Sequence, residues 1–243
     1  MKLSISKVNQ YYNCAYSFYL SYIRKEPIEK TPQQLIEGNE KHKIFENVID
    51  DAKKLSLVLN ISKSAAIERA IGRNENFSKY KNDCDNFVVL SKNIEQQGGN
   101  PFPEHREIKL YDKELNIAGV IDRVDIEGDS VLLIDYKTGK EHQIDNYYFQ
   151  LAVYVYMYEK EFKKNVSHWG IFFSKTGAML KEEVKREEID IAIDKIKLAR
   201  LQIDESIKNK DFPKNPSPLC KWCSFYQNKK CDGKNTPPMI PVI

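Results

Sequence analysis

The feature that most constrains the fold is a pair of apolar runs that carry acids. Gly119-Val120-Ile121-Asp122-Arg123-Val124-Asp125-Ile126 is followed, after Glu127-Gly128-Asp129-Ser130, by Val131-Leu132-Leu133-Ile134-Asp135-Tyr136-Lys137. Both runs are rich in β-branched and aliphatic residues, and the Gly-Asp between them is a two-residue turn signal, so the pattern predicts a tight β-hairpin. With Gly128 and Asp129 as the turn, Glu127 faces Ser130 and the register carries Asp122 opposite Asp135. Lys137, two residues further on, shares the face of Asp135. Opposed side chains on neighbouring strands lie about 4.5–5.5 Å apart at Cβ. Two carboxylates at that separation repel each other. A divalent cation, which takes hard oxygen ligands, removes the conflict. An apolar hairpin that buries two acids and a lysine without such a task would be costly.

The rest of the chain fits a core built around this hairpin. Gln96-Gln97-Gly98-Gly99-Asn100-Pro101 is a strong breaker, and the hydrophobic period changes across it from 3.6 to 2. Before it, helices are expected over 6–24 (starting at Ser6), from Thr31-Pro32 through Leu35, Ile36, Phe45, Val48 and Ile49, and near 62–71 and 76–96. After it come strands over 105–111, 115–126 and 130–137, an apolar helix over about 144–160, and strands near 167–174 and 178–184. A final amphipathic helix is marked by Ile189, Ile193, Ile196, Ala199, Ile203 and Ile207. The tail, with Pro213, Pro216, Pro218, Pro237, Pro238 and Pro241, reads as irregular. This order indicates an α/β (α+β) fold rather than a repeating βαβ one. The 243 residues suffice for a real core, and one domain is expected, with its core over about 35–205.

The combination of motifs resembles the RecB-like branch of the PD-(D/E)XK nuclease superfamily. Gly-x-Ile-Asp-Arg-x-Asp, a hairpin, then Asp-Tyr-Lys-Thr-Gly-Lys is similar to that branch's core motif. Gly38…His42, with Glu46 one turn later, resembles its upstream histidine motif, and Gln150-Leu151 with Tyr154 its helix after the lysine. Glu107 lies on the strand before Asp122, where the family often has an acid, with Glu104 close by. The resemblance implies a restriction-endonuclease-like core, a central mixed sheet flanked by helices. It implies that His42, Asp122, Asp135 and the backbone carbonyl of Tyr136 hold Mg²⁺ or Mn²⁺, with Glu107 as an additional acid. Lys137 would position or help deprotonate the attacking water. Gln150 and Tyr154, one helical turn apart, would hold Lys137 or the substrate phosphate.

Five cysteines are present. The start of the chain lacks the apolar core of a signal peptide, so thiols or metal ligands in a reducing compartment are expected rather than disulfides. Cys220, Cys223 and Cys231 form a triplet near the end, and Cys14 stands alone near the start. Spacing alone suits either zinc or iron–sulfur. Within the same branch, the resemblance to CRISPR-associated Fe–S exonucleases and to the AddB-type nuclease domain implies a 4Fe–4S cluster that staples the two ends. Cys84 reads as a buried or free thiol.

Charge and missing motifs narrow the function. Residues 1–30 sum to +3 and 205–243 to +4, which leaves a middle of −4 in a chain of net +3. Two basic ends suit a polyanion. No Gly-x4-Gly-Lys-Ser/Thr loop occurs, so the chain is not itself a helicase. The early aromatics Tyr11, Tyr12, Tyr16, Phe18, Tyr19 and Tyr22 either stack on unpaired bases or pack against one another. The reading is a Mg²⁺- or Mn²⁺-dependent DNA exonuclease acting on ends or single strands in repair, recombination, phage DNA processing or CRISPR spacer acquisition. The alternatives are a structure-specific endonuclease, or a non-catalytic DNA-binding subunit of a helicase–nuclease or integration complex. A helicase or CRISPR integration proteins are the expected protein partners. No membrane is expected, and the location is the cytoplasm of a bacterial, archaeal or phage-infected cell. The apolar end, Met239 to Ile243, is expected to fray.

Overall fold

The computed structural model describes residues 1–27 and 33–233. In chain order its elements are β1 (Leu3–Ser4), α1 (Ile5–Asn13), α2 (Ala15–Phe18) running into a π-helical turn (Tyr19–Ile23), α3 (Gln33–Leu59), α4 (Lys63–Gly72) and α5 (Lys81–Gln96). There follow β2 (His105–Asp112), β3 (Ile117–Glu127), β4 (Ser130–Lys137), a 3₁₀ turn (Ile144–Tyr147), α6 (Tyr148–Phe162), β5 (His168–Phe173), β6 (Met179–Glu183) and α7 (Arg186–Asn209). A second 3₁₀ turn (Pro218–Trp222) and α8 (Ser224–Gln227) end the described chain. The chain divides into two compact units, one of residues 36–111 and 119–189, the other of residues 1–35, 112–118 and 190–243.

The larger unit is a mixed sheet flanked by helices. β3 and β4 are antiparallel, β4 and β5 parallel, β5 and β6 antiparallel, and β2 pairs with β3. The hairpin closes as the sequence predicts: Glu127 pairs with Ser130 and Arg123 with Ile134. Left-handed φ falls on Gly128 alone in this turn, the pattern of a turn with glycine at its first central position. A parallel β4–β5 pair needs a long crossover, and α6 supplies it. Its Leu151, Ala152, Val153, Val155, Met157 and Tyr158 are buried almost all round, as a helix enclosed on all sides requires. α3 buries Ile44, Phe45, Val48, Ile49 and Ala52, one helical face. Phe45 stacks on Phe87 of α5 at 4.5 Å between ring centroids, and both meet the ring of Tyr136 edge-on. α4 and α5 lock together through Glu95, whose carboxylate accepts the N–H groups of Lys63 (2.9 Å) and Ser64 (3.3 Å), capping orphan donors at the α4 N-terminus.

In the smaller unit, β1 pairs in parallel with Ile117 and Ala118 at the start of β3. Ser4 Oγ accepts the N–H of Lys7 and so caps α1, which begins at Ile5, one residue before the expected start at Ser6. The helix expected over 6–24 is broken at Cys14, which is extended at φ −166° and ends α1 while opening α2. Ala192, Ile196, Ala199 and Ile203 are buried along one stripe of α7, and Arg200 donates to the carbonyls of Met1 (2.6 Å) and Asn116 (3.0 Å). Tyr11 lies edge-on to Phe18, and Tyr19 stacks on Phe212 at 4.9 Å. All six early aromatics thus make ring contacts with neighbours. Two further departures follow from local chemistry. α5 starts at Lys81 rather than near 76, because Asn74 Oδ1 accepts the N–H of Asn76 and turns the chain there. The 3₁₀ turn before α6 takes up Ile144–Tyr147. The expected Thr31-Pro32 helix start and the Met239–Ile243 tail lie outside the described residues. Among the described residues no helix is long and apolar enough to cross a membrane.

Candidate active site

Seven side chains named from the sequence lie in the larger unit, on five elements: His42 on α3, Glu107 on β2, Asp122 on β3, Asp135 and Lys137 on β4, Gln150 and Tyr154 on α6. His42 Nδ1 lies 3.4 Å from Asp122 Oδ1 and 3.8 Å from Glu107 Oε1. One ligand atom from each of His42, Glu107 and Asp122 lies within 4.8 Å of the others, the only such group of three or more among the described residues. Glu107, the additional acid named from the sequence, is therefore in the cluster. It reaches it by breaking the pleat of β2, with φ +46°, a left-handed backbone that costs a non-glycine residue about 1 kcal/mol.

Asp135, expected as a ligand, is not in that group of three, and its carboxylate is held by Gln150 and Lys137. The hairpin ladder stops at Arg123–Ile134, one pair short of the two aspartates. There Asp122 Oδ2 accepts the N–H of Tyr136 at 2.6 Å, so a side chain replaces a ladder bond. Asp135 Oδ1 accepts from Gln150 Nε2 at 2.6 Å, and Gln150 Oε1 accepts from Lys137 Nζ at 2.9 Å. The same amide nitrogen lies 2.9 Å from the Tyr154 hydroxyl. Gln150 thereby ties acid, lysine and tyrosine together. Asp135 Oδ2 pairs with Lys137 Nζ at 2.6 Å. The ring of Tyr136 is buried against Phe45, Phe87 and Phe172.

Two close contacts bring α3 to this strand end. A Cβ on Gly38 would lie 3.3 Å from Thr138 Oγ1, so glycine one turn before His42 permits the approach. Arg106, beside Glu107, donates to the carbonyl of Glu46 at 2.9 Å and pairs with Asp50 at 2.5 Å, anchoring β2 on α3. No sequence motif pointed to Arg106. Its position beside a candidate ligand was the available signal.

The electrostatics lack positive charge. Burial disfavours the His42 imidazolium, yet hydrogen bonds to Asp122 and Glu107 and the charges of Asp122 and Asp135 outweigh it and raise its pKa to about 10. Burial first, then the charge of Asp122, push the Asp135 carboxyl up to about 7 against the pull of Lys137. A divalent cation held among His42, Glu107 and Asp122 would supply that charge. The donor set, one imidazole and several carboxylates, fits Mg²⁺ or, with its nitrogen, Mn²⁺.

The remaining named residues, Cys14, Cys220, Cys223 and Cys231, all lie in the smaller unit, and each is half-buried with a free thiol. Cys84 is fully buried in the larger unit, within the cluster of Phe87 and Phe45.

A buried acid–lysine cluster at the end of a mixed sheet, faced by histidine, is the architecture of a nuclease core. The sequence profile of the PD-(D/E)XK nuclease superfamily matches residues 2–227, and the chain belongs to that superfamily. No curated protein gives a significant match. A crystal structure of a protein from Eubacterium rectale, provisionally named an exonuclease, is similar in fold. Its TM-score is 0.51 at 13% identity, over 100% of this chain and 91% of that one.

Proposed function

We propose that the chain is a metal-dependent DNA exonuclease. The observation that carries this reading is the meeting of His42, Glu107 and Asp122 beside the Asp135–Lys137 pair. A divalent cation held by His42, Glu107 and Asp122, with Asp135 and the Tyr136 carbonyl completing the set, would polarise the phosphodiester and acidify bound water. Lys137, held by Gln150 Oε1 at 2.9 Å, keeps its ammonium aimed at the acids, where it orients the attacking water and offsets charge growing on the phosphate. Gln150 fixes Lys137 and Asp135 together, and Tyr154, through its hydroxyl at 2.9 Å, fixes Gln150.

With Mn²⁺ or Mg²⁺ the protein is expected to shorten end-labelled linear single-stranded DNA and to leave closed circles intact. Lys137→Ala should lower the rate by about 10³-fold without changing the melting temperature by more than a few degrees. Equal activity of wild type and Lys137→Ala would refute the site, and rapid cutting of circles would refute a strict exonuclease.

A second cofactor belongs to the same reading, a 4Fe–4S cluster on Cys14, Cys220, Cys223 and Cys231. What supports it is that all four thiols fall in one unit, and that the charge of Cys14 bears on Cys231. Two of the sulfurs accept backbone N–H groups, Cys220 from Ser217 at 3.4 Å and Cys231 from Gly233 at 3.5 Å, the kind of hydrogen bond that tunes cluster thiolates. A cross-link between residue 14 and residues 220–231 closes nearly the whole chain. Cys220→Ser should therefore lose its iron and about 10 °C in melting temperature. An unchanged iron load and melting point would sink the staple.

A further inference from the structure

α5 contributes no residue to the site, yet one face of it carries a buried polar latch. Asp83, in its first turn, is 6% exposed. Its Oδ2 lies 2.9 Å from Lys41 Nζ of α3, itself almost buried. Its Oδ1 accepts the hydroxyl of Ser174 at 2.5 Å, and Ser174 is fully buried just after β5. The Ser174 N–H in turn donates to the carbonyl of Lys137 at 2.9 Å. One turn along α5, Asn86 Nδ2 donates to the Ser174 carbonyl at 2.8 Å, and Asn82 Nδ2 donates to the Lys175 carbonyl at 2.7 Å. The turn closes against this face. Gly177 has φ +77°, and a Cβ there would lie 3.0 Å from Asn86 Oδ1.

The two ends of this chain of contacts adjoin the proposed site. Lys41 precedes His42 on α3, and Ser174 holds the backbone of Lys137. Neighbouring helical residues point about 100° apart. Fixing Lys41 against Asp83 therefore fixes the rotation of α3 about its axis, and with it the direction of the His42 ring. Holding the Lys137 carbonyl fixes the end of β4 that carries the ammonium. A buried ion pair is not required for stability, since a well-packed apolar pair of like volume usually serves as well. The placement of this one calls for another explanation.

We infer that Asp83 is a positioning residue: through Lys41 and Ser174 it sets His42 and Lys137 in register across the metal site. This rests on the proposed metal site. Partners at one remove from a metal ligand typically matter 10- to 100-fold for metal affinity or activity, and the lower end is expected here.

The test uses the full chain and Mn²⁺ binding by calorimetry beside nuclease rates. Lys41→Met with Asp83→Leu removes both charges and should melt near wild type. It should nevertheless bind Mn²⁺ about 10-fold more weakly and show a kcat about 10-fold lower at saturating metal, with KM for DNA little changed. Ser174→Ala, which removes only the hydroxyl, should lower kcat alone by several-fold and decides the matter if the double variant does not fold. Wild-type Mn²⁺ affinity and kcat in a well-folded double variant, or wild-type kcat in Ser174→Ala, would overturn the positioning role. Absence of Mn²⁺ binding to the wild type would instead overturn the metal site beneath it.

Discussion

Replacing Asp135 by Asn is expected to abolish nuclease activity by about 10³-fold or more while making the metal-free protein more stable at pH 8. Both effects have one origin. Asp135 is 3% exposed, and burial together with the charge of Asp122 holds its folded pKa at about 7, above the roughly 3.9 of an exposed aspartate. A raised carboxyl pKa means that the folded state binds the proton more tightly than the unfolded one. Its contribution is therefore fully favourable only at low pH and is lost as pH rises from about 4 through about 7. At pH 8 the wild type carries the whole penalty, and an amide of the same shape does not. A gain on the order of 1–2 kcal/mol corresponds to about 3–6 °C for a chain of this size. At pH 4 the two proteins should melt together. Adding Mn²⁺ at pH 8 should raise the wild-type melting temperature by binding the folded state and leave Asp135→Asn nearly unmoved. The idea fails if the variant melts below wild type at pH 8, or if both gain equally from metal.

This trade between stability and chemistry explains why the centre of the site was legible in the sequence. Acids flanked by Val131, Leu132, Leu133 and Ile134 announce a conflict between burial and charge, and the hairpin register follows from one turn and a period of two. The pairing from Glu127–Ser130 to Arg123–Ile134 obeys that arithmetic. Arithmetic could not foresee that the ladder ends one pair early, with Asp122 taking the N–H of Tyr136. That is decided by where a carboxylate outcompetes a carbonyl. Glu107 was weakly marked because a strand pattern assigns alternate faces, and its left-handed φ departs from that alternation. The break at Cys14 was hidden because Tyr-Tyr-Asn-Cys-Ala-Tyr carries no proline or glycine to announce it. The latch of Lys41, Asp83 and Ser174 was invisible, since three ordinary polar residues far apart in the chain carry no motif and meet only through packing.

The core motif also holds an acid whose role is structural. Asp125→Ala is expected to destabilise the protein by about 3–5 kcal/mol, roughly 10 °C in melting temperature. Its partner Arg123 is fully buried, and Arg123 Nε lies 2.9 Å from both Asp125 oxygens while Nη2 donates to the Pro101 carbonyl at 3.1 Å. Burial disfavours the guanidinium charge, but the charge of Asp125 outweighs it and raises the pKa. Arginine does not neutralise, so removing Asp125 leaves a cation in the core with only the Pro101 carbonyl and the neutral Tyr136 hydroxyl as partners. The effect belongs to the stranded charge rather than to the value of the pair. Arg123→Met combined with Asp125→Leu should therefore recover most of the lost stability, since it removes both charges and keeps volume. Thermal unfolding of the single and double variants decides it. A single variant within about 1 kcal/mol of wild type, or a double variant no better than the single one, would show that this arginine is satisfied by other groups. The motif then separates into two functions on one strand. Asp122 points to the proposed metal, and Arg123 with Asp125 holds rigid the strand that aims it.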